Sequence, residues 1–138
     1  MNNHLLARES EEDIEFMVNT IRDDISKILI EMEKCVVFDY IGTSRHAIYP
    51  NITYFINCMN TLFELVTNNA SILGYSFEQY ERLYDIERND NREFILKIKS
   101  KEQFAKKIKD DNKKAYLYEE IVEIMQQKVT EIKNLICS

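Results

Sequence analysis

Between Ala115 and Ile136 the apolar positions stand alternately three and four residues apart: Ala115, Tyr118, Val122, Met125, Val129, Ile132 and Ile136. Such a heptad seam lays one stripe of a long helix against a neighbouring helix. It predicts a last helix over about 101–136, with Phe104 and Ile108 extending the stripe and Asp110-Asp111-Asn112 kinking or splitting it. A second stripe opens the chain: Ile14, Met17, Val18, Ile21, Ile25, Ile28, Leu29, Met32, Cys35 and Val36. It predicts a first helix near 10–37, about 40 Å long at ~1.5 Å per residue. Ser10 is placed as its N-cap, with Asp13 in the first turn at the positive end of the helix dipole.

Between these rods, Ile52, Phe55, Ile56, Met59, Leu62, Phe63 and Val66 mark a helix near 51–72. Gly74 closes it, because glycine takes the left-handed conformation at little cost. Ser76 and Gln79 form a capping box for a short third helix near 76–89, ended by Asn89-Asp90-Asn91. Residues 93–100 read as a helical turn, since a lone strand would leave its backbone unpaired. The segment 38–50, with Gly42 and Pro50, is irregular. The expected fold is all-α: a single domain over 1–138, with four or five helices in a bundle and long first and last helices. Only two glycines and one proline are present, too few for the turns of a β-sandwich or barrel.

Charge narrows the partners. The net charge of −6 disfavours nucleic acid and anionic lipid as targets. The distribution is uneven: Glu9, Glu11, Glu12, Asp13 and Glu15 make the start acidic, while eight lysines between Lys97 and Lys114 make that region basic. No stretch approaches the ~20 apolar residues that span a bilayer, so no membrane is expected. Three widely spaced cysteines, Cys35, Cys58 and Cys137, form no disulfide framework and suit a reducing, cytoplasmic compartment. Cys35 and Cys58 fall on apolar stripes, where a thiol acts as a small hydrophobe. Either could meet His46 as a dyad, but nothing in the sequence activates it. His4 and His46 lack zinc-ligand spacing, and no phosphate loop is present. The residues therefore point to no catalytic group and no cofactor.

A binding role follows by elimination. The 38–50 segment is longer than most helix–helix connections. It is rich in aromatic, apolar and basic side chains, the types that dominate hot spots. Tyr40, Arg45, His46 and Tyr49 are its candidate partner-binding residues. Tyr75, Tyr80 and Tyr84 suit a core edge or an interface. The two long stripes exceed what a short third helix can cover, so self-association into a homo-oligomer, or docking on a protein partner, is expected. By composition the chain is the kind of small acidic helical product that phages and mobile elements use to block a host enzyme or defence complex.

One segment carries a resemblance. Ile72-Leu73-Gly74-Tyr75-Ser76 followed by Asp85-Ile86-Glu87-Arg88-Asn89-Asp90-Asn91-Arg92 resembles the closing part of all-α nucleoside triphosphate pyrophosphohydrolases of the MazG and dimeric dUTPase type. The resemblance implies nucleotide-contacting roles for Arg88, Asn89 and Arg92, and Mg2+ as cofactor. That family holds its metal with paired carboxylates on two helices, and hard cations need such oxygen ligands. Here Cys58 and Thr61 stand where the second pair would fall, and Glu64 alone lies nearby.

Overall fold

The computed structural model describes residues 3–36 and 49–137, and the side chains of 11–36 and 49–137. Five α-helices follow in order: α1 (Asn3–Cys35), α2 (Ile52–Asn68), α3 (Phe77–Asp85), α4 (Asn91–Lys107) and α5 (Asp111–Ile136). A π-helical segment, Ile86–Asp90, joins α3 to α4 with right-handed helical backbone on both sides. These three pieces form one rod, so the bundle has four rods, and no strand occurs among the described residues. Residues 93–100 lie inside α4 as helix.

The third helix does not end at Asn89-Asp90-Asn91. These residues sit in or directly after the π segment, where backbone bonds reach one residue further and accommodate a poor α-helical sequence without a break. Nor does the last helix begin at 101. The chain breaks between Lys107 and Asp111, and the Asp110 carboxylate accepts from the N–H groups of Asn112 (2.9 Å) and Lys113 (3.3 Å), starting α5 afresh. This break takes Phe104 out of the stripe: it is 57% exposed on α4, and Ala105 is buried instead. Ile108 is half-buried in the break itself.

Two other ends differ from expectation. α1 starts at Asn3, leaving Ser10 inside the helix rather than capping it. Leu5, Leu6, Ala7, Arg8 and Glu9 are good helix formers, so nothing stops the helix from extending backwards. α2 stops at Asn68, because the Asn69 side-chain amide donates to the Leu65 carbonyl at 2.7 Å and competes with the helical ladder. The turn that follows is closed by Gly74 at φ +80°, with Tyr75 N–H to Ala70 O (3.0 Å) and Gly74 N–H to Ser71 O (3.1 Å). The capping box opens α3 as expected: Ser76 Oγ accepts from Gln79 N–H, and Gln79 Oε1 accepts from Ser76 N–H.

α1 and α2 run antiparallel. At one end Asn51 N–H donates to Cys35 O (3.2 Å), and Tyr54 Oη donates to Glu31 (3.4 Å). Ile25, Leu29 and Met32 of α1 share one core with Phe55, Met59 and Phe63 of α2, Phe94 and Ile98 of α4, and the α5 seam. Phe55 and Phe94 pack with ring centroids 5.9 Å apart. Every seam residue from Tyr118 to Ile136 is buried, each large one contributing about 1.5–3 kcal/mol. α5 is tied to α1 by a Lys133–Glu33 ion pair, and to the turn after α2 by Tyr75 Oη donating to Ile136 O (3.2 Å).

Candidate functional site

The two rods of the α1–α2 hairpin differ in length. At ~1.5 Å per residue, α1 is about 50 Å long and α2 about 25 Å. Since α2 begins beside Cys35, it can accompany only the C-terminal half of α1. Burial marks the limit: Ile21 is buried, Val18 is half-buried, and every side chain from Glu11 to Met17 is exposed. The apolar pattern nevertheless continues. Ile14, Val18, Ile21, Ile25, Ile28, Met32 and Cys35 form one seam at steps of four and three, the same kind that buries α5. Its free end presents Ile14, Met17 and Phe16, the last 73% exposed. Around them stand Glu11, Glu12, Asp13 and Glu15, with no basic residue between 11 and 17. This projecting half of α1 is an acidic surface with apolar anchors.

α4 carries the opposite chemistry. Arg92, Leu96, Lys99, Gln103 and Lys107 recur at helical steps along one outward face, with Phe104 at its edge. All six are exposed, Leu96 at 65%. The sequence located the lysines but not the apolar residues among them: Phe104 reads as part of the stripe that runs on into the last helix. The step from Leu96 to Lys99 was the available signal, since residues three apart on a helix share a face, while Phe94 and Ile98 fall on the opposite one.

Of the expected partner-binding residues, Tyr40, Arg45 and His46 lie outside the described residues. Tyr49 is exposed on one side and packs its ring 4.5 Å from that of Tyr118, with Lys114 Nζ 6.0 Å from its centroid. It thus closes the end of the bundle as well as facing solvent. Tyr75 is a core-edge residue, whereas Tyr80 and Tyr84 stack in the open at 6.2 Å. The Arg88 guanidinium lies 5.0 Å over the Tyr84 ring, and Asn89 and Arg92 are exposed beside it. Among the described residues no cluster of three or more histidine, cysteine, aspartate or glutamate side chains could hold a metal ion. Glu64 faces Glu87, whose carboxyl is raised by burial and then by the Glu64 charge.

Cys35 and Cys58 are both buried and free. The Cys35 thiol donates to the Glu31 carbonyl at 3.2 Å. Burial pushes it up to about 11, with smaller contributions from Cys58 and Glu31. Burial also raises the Cys58 thiol, opposed by a hydrogen bond from Tyr54. A nucleophilic cysteine needs the reverse shift, so both serve as small core residues.

Compared with known protein families, curated proteins and solved structures, the chain matches none.

Proposed function

We propose that the chain is a non-catalytic binding protein that works through protein–protein contacts, and that the projecting half of α1 is the contact element. One observation carries this reading: a heptad seam that is covered by α2 and α5 as far as Ile21 continues uncovered through Ile14. Apolar positions in register on an exposed helix are the anchors by which amphipathic helices dock. The surrounding carboxylates select a basic, apolar partner face, and the outward face of α4 has that chemistry. A second copy of the chain is therefore the first occupant. α1 of one copy would lie on α4 of the next, a head-to-tail contact that closes into a ring or extends.

Reciprocal charge reversal tests this. Light scattering after gel filtration at tens of micromolar should give a mass above the 16.5 kDa protomer. Lys99→Glu with Lys107→Glu should yield a monomer, and so should Glu11→Lys, Glu12→Lys and Glu15→Lys together. Mixing the two variants should restore a complex, because the reversed faces match. A wild-type monomer, or variants that associate as before, would remove the proposal.

A further inference from the structure

A cavity of about 760 Å³ lies between the α3–α4 rod and α5. Its size is that of small-molecule sites. Phe63, Leu83, Phe94, Ile124 and Ile132 belong to its apolar side, which makes up somewhat less than half of the wall. The π segment forms part of its wall through Ile86 and Asp90, and π turns within helices recur at functional sites.

The unusual member of this wall is Lys128. It occupies a slot in a second α5 stripe, Leu117, Ile121, Ile124, Lys128 and Leu135, where an apolar side chain is the expected occupant. It is only 7% exposed. Its Nζ lies 5.4 Å from the centroid of the Phe94 ring. Among the described residues no carboxylate comes within ion-pair distance of it and no acceptor takes a hydrogen bond from it. Burial lowers its pKa, and Glu131 and Asp90 oppose that only from a distance. The aliphatic stem of Lys128 is thus buried while its ammonium tip faces the cavity over Phe94, where a ligand can supply a counter-charge.

The remaining charges define the ligand's head. Arg82 and Lys97 line the cavity, but so do Asp90, Glu93 and Glu131. Three carboxylates repel a polyphosphate and tolerate a single negative charge held at Lys128. We propose that this cavity binds a small amphipathic monoanion, a carboxylate with an apolar or aromatic body, whose head pairs with Lys128 Nζ and whose body lies against Phe94 and the α5 stripe.

The chain has no tryptophan, so a naphthyl probe can be followed by its own fluorescence without indole background. Titration with 2-naphthoate should show saturable one-to-one binding, and 2-naphthamide, which lacks the charge, should bind at least about tenfold more weakly. Lys128→Met should melt at the same temperature or higher and bind the two probes alike. Ile124→Phe narrows the cavity and leaves the cation in place, so it should weaken naphthoate even if Lys128→Met fails to fold. The site is refuted by absence of saturable binding, by equal affinity of both probes for the wild-type protein, by a naphthoate preference that persists in Lys128→Met, or by unchanged binding in Ile124→Phe.

Discussion

In α5 the three-four stripe is buried from Tyr118 to Ile136, whereas in α1 the same spacing is buried only from Ile21 onward. Nothing in the local sequence separates the two cases. Both are good helix formers with apolar residues at heptad steps. The difference lies in what stands beside them. α5 packs along its length against the rest of the bundle, while α2 stops at Asn68 and, among the described residues, nothing packs on the first half of α1. A periodic pattern thus reports that a helix face is built to be covered, and only the topology reports by what. In α5 the covering comes from the same chain; among the described residues the first half of α1 has none.

The widest separation between these helices should appear on placing a charge in each. Val129→Asp puts an unpaired carboxylate into the buried seam and should cost several kcal/mol, enough to abolish cooperative urea unfolding of a domain this size. Met17→Asp, measured at a concentration where the protein is monomeric, should stay within about 0.5 kcal/mol of wild type. Equal destabilisation by the two would mean that the projecting half is packed after all.

A smaller effect distinguishes the halves of α1 by pH. Cys35 lies in the covered half, and its thiol is held up to about 11 against an ordinary 9. In the unfolded chain the thiol ionises near 9, while the folded protein retains the proton. The resulting stability is fully present below pH 9 and is lost as the pH rises towards 11, by on the order of 2 kcal/mol. Cys35→Ala should therefore lose less stability than wild type between pH 9 and 11 in parallel denaturant titrations. Superimposable slopes would show that the covered half is wetter than its burial indicates.

The least effect concerns how α5 begins. Asp110→Ala removes the acceptor for two backbone N–H groups and should cost about 1 kcal/mol by thermal unfolding. A loss below a few tenths would indicate that α4 and α5 can fuse through the break, which would rotate the seam against its neighbours.

Much of this was legible from residue order. The rods, the α5 seam and the Ser76 box follow from periodicity and capping chemistry, which act over a few residues. The misreadings share one cause, in that each turned on a choice between local alternatives that tertiary contacts decide. Asn89-Asp90-Asn91 looks like a helix end by propensity, yet the rod passes through it as a π turn. Phe104 fits a stripe running into α5, but Asp110 ends that register before it arrives. The candidate contact surface was sought in the 38–50 segment because aromatics and arginine cluster there. Surplus apolar stripe on the two long helices predicts self-association or docking, but spacing alone does not say that the uncovered part is the end of α1 at Ile14 and Met17.

The π segment has a consequence for how this chain can change length. It is the form a helix takes when one surplus residue is carried without disturbing either end. Removing any one residue from Ile86–Asp90 would let ordinary α-helical bonding run unbroken from α3 into α4. α4 would keep its orientation to α3, with Phe94 and Ile98 still in the core and Leu96, Lys99 and Lys107 still outward. The same deletion in the plain α-helical part of the rod has no such slack to draw on, and would turn everything beyond it by roughly 100°.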